Sequence, residues 1–224
     1  MKMKYYILLI IFSNICFSQK ILIPMDYLQS NHLKAYGIAF LHLEKSNNVD
    51  WLLNYRGGSF LLDDVDEIQS TCKIRGVSYE LINSWDLSEI LSTIESNNME
   101  IILLEKVPKI AVYSPPDKQP WDDAVTLALT YADIKYDVIF DDEVINNKIN
   151  DYDWLHLHHE DFTGQYGKFY RSYRNKIWYK KMESDFNQTA RKHGFDSVHN
   201  LKKFIALKIK QYVVDGGFLF AMCS

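Results

Sequence analysis

The stretch GGFLFAMCS, Gly216 to Ser224, decides how the second half of the chain is built. Upstream of it, Val198, Leu201, Ile205, Ile209 and Tyr212 recur at helical spacing, with Asp196 or Ser197 placed to cap the start. Gly216 ends that pattern and an apolar run begins at once. A helix turned by glycine into a short apolar run is the closing half of a strand–helix–strand unit. Three more short runs precede it: KIAVY (109–113), YDVIF (136–140) and DWLHLH (153–158). Between the first two, Pro120, Asp122 and Asp123 suit the start of a helix carrying Val125, Leu129 and Ala132 inward. Strands alternating with helices predict an α/β fold with a mostly parallel sheet and helices on both faces.

The first half alternates in the same way. KILIPM (20–25) reads as a strand, and Ser30 as the cap of a helix burying Leu33, Tyr36, Phe40 and Leu43. Val49 to Leu53 is a second strand running into NYRGGSFLL, where Gly57 and Gly58 mark a turn. A helix from about Asp63 would bury Val65, Ile68 and Cys72 and stop at Gly76. Val77 to Ile82 is a third strand. Asp86 and Glu89 stand at capping-box spacing before a helix burying Leu87, Ile90, Leu91 and Ile94. Met99 to Leu104 is either a strand or an extension of that helix, since periodicity cannot separate the two in so short a run. Pro108 divides the chain into units at 19–107 and 108–224.

The N-terminus, MKMKYYILLIIFSNICFSQK, has the anatomy of a secretory signal peptide: two lysines, an apolar stretch too short to span a bilayer, then small residues before Gln19. Residues 1–18 are expected to be removed, placing the protein in the periplasm, the cell envelope or the medium, without a transmembrane span. The 224-residue chain carries a net charge of −4, and the loss of Lys2 and Lys4 makes it more acidic. Such a chain is poorly suited to nucleic acid, which is bound largely by neutralising phosphates. Aromatic residues at 14% are abundant, and the 47% hydrophobic content supports a substantial core.

In open α/β sheets, chemistry gathers in loops at the carboxyl ends of the strands. That rule selects the SPPDKQP loop (114–120), the segment after DWLHLH, and Cys223. Cys223 stands where a strand would turn into a helix, the elbow that presents a nucleophile with backbone N–H groups beside it. The other reading is a packed cysteine at a strand end. His158 and His159 are candidates for a general base or oxyanion partner near it. His156, His158 and Glu160 fall on one side of a strand and could hold a divalent metal, or simply hydrogen-bond their neighbours. No other cofactor is indicated. The segment Thr163 to Phe195 is long for a connection and opens with interleaved aromatic and basic residues. Tyr170, Arg171, Tyr173, Arg174 and Trp178 there could bind a small molecule, a glycan or a peptide, and an amphipathic helix with a solvated basic face is the alternative. Arg56, in YRGGS, could add charge to a backbone anion cradle or belong to a plain turn.

With these pieces in order, the region from about Lys109 to Ser224 resembles a class I glutamine amidotransferase domain, a flavodoxin-like α/β unit in which Cys223 would be the nucleophile and the His158–Thr163 loop would lie near the oxyanion site. That resemblance implies a histidine and an acid further downstream, so the unit reads as incomplete after the elbow. The whole chain, through ILIPMDYLQSNHLKAYGIAF, DWLLNYRGGSF and IRGVSYE, also resembles an exported bacterial family commonly named asparagine synthetase B. The name implies glutamine-dependent amide transfer to aspartate with ATP. Lys2 follows Met1 where an N-terminal-nucleophile amidase would have cysteine, and RGGSF takes the place of an SGGxDS pyrophosphate loop. The function expected is therefore thiol amidohydrolysis, or a degenerate form that binds the ligands. The alternative is a non-enzymatic surface module that binds glycan or peptide through 163–195.

Overall fold

The computed structural model describes residues 19–65, 67–115, 123–158 and 170–222. The signal segment, most of the SPPDKQP loop, His159, Glu160 and Cys223 lie outside the described residues. The chain divides into two compact units, 1–106 and 107–224.

The first unit is built on strands β1 (Lys20–Ile23), β2 (Val49–Leu53), β3 (Ser59–Asp63), β4 (Glu80–Ile82) and β5 (Glu100–Leu104), with helices α1 (His32–Glu44), α2 (Ile68–Arg75) and α3 (Ser84–Ser96). The sheet order is β4-β1-β3-β2-β5 and every pairing is antiparallel. The parallel sheet expected for this half is thereby corrected. The reason lies in Asn54–Gly58: Asn54, Arg56, Gly57 and Gly58 all have positive φ, and the chain reverses into β3 instead of crossing over. Gly57 (φ +82°) is required there, because a Cβ would sit 2.4 Å from the Met25 carbonyl oxygen. β1 and β2 run in the same direction with β3 between them, the split βαβ connectivity. Helices nevertheless cover both faces. Leu22, Leu52, Leu61 and Ile82 pack with Ile90 and Ile94 of α3. Ile21, Ile23, Phe60 and Leu62 are buried on the opposite face, where Tyr36 of α1 meets the Phe60 ring edge-on at 5.5 Å.

Local chemistry fixes the helix ends. Asn31, rather than Ser30, caps α1 by accepting from the Lys34 N–H. Asn83 and Asp86 form a reciprocal capping box at α3. α2 starts later than predicted because Asp63 is still in β3, and Gly76 (φ +67°) ends it. Met99 to Leu104 is a strand, β5.

The second unit contains β6 (Ile110–Tyr113), α4 (Ala124–Tyr131), β7 (Asp137–Ile139), α5 (Asp141–Ile145), β8 (Trp154–His158), α6 (Tyr170–Tyr173), α7 (Ile177–Lys192), α8 (Val198–Val214) and β9 (Phe218–Met222). Its sheet is wholly parallel, in the order β7-β6-β8-β9. Ala111, Tyr113, Leu155 and Leu157 point to one face and pack against Ala190 of α7 and Leu201, Ile205, Ile209 and Tyr212 of α8. Right-handed crossovers place α4 on the other face, because β6→β7 moves along the sheet in the opposite sense to β8→β9. That face is apolar and open along β9, where Phe218 is 62% and Phe220 40% exposed. Gly217 allows the tight return from α8 to β9: a Cβ there would lie 2.2 Å from the Tyr212 ring.

Candidate functional site

The second sheet reverses its winding between β6 and β8. At such a point the loops leaving neighbouring strands diverge and open a crevice at their carboxyl ends. Tyr113 ends β6, His158 ends β8 and Met222 ends β9, with Cys223 the next residue in sequence.

His156 holds this edge together. It is fully buried, and its Nε2 lies 2.8 Å from Oδ2 of Asp123, itself buried. Its Nδ1 lies 3.1 Å from the Phe220 carbonyl oxygen of β9. A carbonyl can only accept, so Nδ1 carries a proton, and a further proton lies between Nε2 and the carboxylate. Asp123 also caps α4, accepting from the N–H groups of Val125 and Thr126. The imidazole thus ties β9, β8 and the start of α4 together. Both ring nitrogens of His156 are engaged in hydrogen bonds; of the other two members of the proposed metal set, Glu160 and the His158 side chain lie outside what the structure describes. Among the described residues no cluster of metal-ligating side chains occurs.

A second buried polar group lies at the ends of β6 and β7. The Tyr113 hydroxyl donates to Asp141. Lys202 of α8 donates to both Asp141 oxygens, at 2.9 and 3.0 Å, and to the Tyr113 oxygen at 2.9 Å. Its ammonium also sits 4.2 Å from the Phe140 ring centre. All three residues are almost wholly buried. The next residue, Asp142, binds His193 at the end of α7. Partial burial opposes the charged carboxylate of Asp142, but the His193 hydrogen bond and the nearby positive charges outweigh it and lower the pKa. Two consecutive acids at the start of α5 thereby pin α8 and α7. Sequence reasoning missed this group. The signal was present: Lys202 falls on the buried stripe of α8, four residues after Val198 and three before Ile205.

The aromatic and basic segment is partly an amphipathic helix. Tyr179 is buried and Phe186 packs against the core, while Arg174, Lys176, Lys180 and Lys181 are exposed. Trp178 and Tyr173 break that pattern. Their rings lie 5.2 Å apart and are 53% and 37% exposed. Tyr170 and Arg171 are placed in α6 by their backbone.

In the first unit, Arg56 is held by its own neighbours. Its Nε donates to Asp26 at 2.7 Å and its Nη1 to both Glu80 oxygens at 2.9 Å. The guanidinium locks the turn. Cys72 is fully buried in α2, and burial pushes its thiol up to about 11, an inert state. Among the described residues no helix is long and apolar enough to cross a membrane.

No protein-family model, curated protein or solved structure matches the chain.

Proposed function

We propose that the second unit is an amidotransferase-like thiol amidohydrolase with Cys223 as its nucleophile, in an exported protein related to the family commonly named asparagine synthetase B. The observation that carries this reading is positional. β9 is a parallel strand whose last residue, Met222, is followed directly by Cys223, beside the strand that ends at His158. The sheet order, with the first strand second from one edge, agrees with a flavodoxin-like plan. In the proposed reaction, the Cys223 thiolate attacks an amide carbonyl carbon and the C–N bond breaks. The departing nitrogen takes up a proton and leaves as ammonia or an amine, and water hydrolyses the thioester to carboxylate and free thiol. His158 or His159 would supply the base or polarise the carbonyl. No metal or cofactor enters. A degenerate domain would bind the same amides without turnover.

The test is ammonia release from glutamine, asparagine and amidated peptides by the exported protein and by Cys223→Ser. Release by the parent alone supports the hydrolase. Binding of an amide by calorimetry without release supports the degenerate form, and the absence of both release and binding would overturn the reading.

The exposed Tyr173–Trp178 pair beside Arg174 and Lys176 favours a second reading, a surface module that stacks on a glycan or peptide. It predicts that Trp178→Ala abolishes binding to a glycan or peptide array while Cys223→Ser does not.

A further inference from the structure

β5 is one of the two edges of the first sheet, and apart from Glu100 it lacks the usual safeguards of an edge strand. Its sequence is EIILL, with no lysine, proline or bulge, and Ile101, Ile102 and Leu103 are 42%, 38% and 51% exposed. Apolar side chains therefore project from both faces of a strand whose outer backbone groups are unpaired within the sheet. We propose that β5 is a self-association edge: it pairs antiparallel with β5 of a second copy, joining two five-stranded sheets about a two-fold axis at Leu103.

The register follows from geometry and charge. In an antiparallel pair, facing residues must both point their backbone groups inward or both outward. Around a two-fold axis this puts one residue opposite itself and excludes registers centred between residues. Centring on Leu103 sets Ile102 against Leu104, Ile101 against Glu105 and Glu100 against Lys106, and symmetry repeats each pair. Lys106 lies two residues beyond the end of β5, at a bend, and is exposed, so the pairing requires that bend to straighten and the strand to lengthen by two residues. Centring on Ile102 would set Glu100 against Leu104 and Glu105 against Met99. Centring on Leu104 would set Lys106 against Ile102 and bring Pro108 into the ladder, where it cannot donate. Of these registers only the one centred on Leu103 sets opposite charges against each other, Glu100 against Lys106, and it does so at the cost of facing Glu105 with Ile101. A contact of this length lies at the small end of specific interfaces, so the dimer should dissociate on dilution.

The experiment is sedimentation equilibrium of the purified full chain over a concentration series, with charge swaps. The parent should show a reversible monomer–dimer equilibrium. Glu100→Lys and Lys106→Glu should each give monomer, since each substitution creates two like-charge pairs, and the double swap should restore the dimer. Mild oxidation of Leu103→Cys should give a covalent dimer, because facing Cα atoms in such pairs lie within disulfide reach. A parent that stays monomeric, or a dimer indifferent to the single swaps as expected if the open face of β9 or a foreign strand were the contact, would overturn the proposal. So would cross-linking of Ile102→Cys in place of Leu103→Cys.

Discussion

His156 and Asp123 are 33 residues apart in sequence and meet at 2.8 Å in the buried edge of the parallel sheet. Through this one contact the start of α4 is fixed against β8, and through the other ring nitrogen β8 is fixed against β9. The pair is buried among these elements and holds β8, β9 and the start of α4 in place.

Asp123→Ala removes the cap of α4 and leaves the imidazole without its anion. Breaking a buried charged pair costs about 3–5 kcal/mol, and a lost cap about 1 kcal/mol. We expect a loss near the lower end of the first range in denaturant unfolding, and a smaller one for Asp123→Asn, which retains an acceptor. A loss within error of zero for Asp123→Ala would show that the contact does not hold the edge.

Lys202→Met should be the more damaging of two changes. It strands the buried Asp141 carboxylate, at a cost of about 3–5 kcal/mol. The triple variant Tyr113→Phe, Asp141→Leu, Lys202→Met replaces the whole group with apolar side chains of similar size and should recover most of that loss. If the triple variant is as unstable as the single one, packing around Phe140 and Phe186, and not the stranded charge, accounts for the effect.

The sequence showed the second unit well because its runs are fully apolar and its helices carry glycine and serine punctuation. β6, β7, β8, α8 and β9 all fall within a residue or two of their predicted bounds. In the first unit the three helices and the strands β1, β2 and β4 were legible, but β3 was not read as a strand, β5 was left open between strand and helix, and the topology was not visible. Alternation does not report strand direction, and the reversal at Asn54–Gly58 depends on Arg56 adopting a left-handed conformation that its type does not announce. The site was legible only as a place, the carboxyl ends of the strands. Which histidine is buried and which partners it takes depend on contacts between Asp123, His156 and Phe220, and residue spacing carries no trace of them. Lys202 is the exception, a charge standing in an apolar stripe.

His42 of α1 is 1% exposed, and among the described residues neither ring nitrogen has a hydrogen-bond partner. Burial lowers its pKa below 6.5; Asp63 pulls the other way, and Lys45 and Lys20 add to the lowering. As the pH falls, the unfolded chain takes up the proton first. The stability linked to His42 is therefore fully present above about pH 6.5 and is lost as the pH falls toward the lower folded value. His42→Leu should flatten the stability profile over that window. An unchanged slope would assign it to other groups.

Export from a bacterial host should remove residues 1–18, leaving Gln19 at the N-terminus. Intact-mass measurement reads this directly, and exported protein that retains Met1 would contradict it.

The most direct measurement is the pH dependence of iodoacetamide labelling at Cys223, resolved from Cys72 by peptide mapping. Cys72, buried with its thiol pushed up to about 11, should stay unlabelled in folded protein and serves as the internal control. The account predicts that Cys223 labels rapidly near neutral pH, with a midpoint well below the free-thiol value of about 8.5. A midpoint at or above the free-thiol value, or labelling as slow as that of Cys72, would contradict an activated nucleophile at the end of β9.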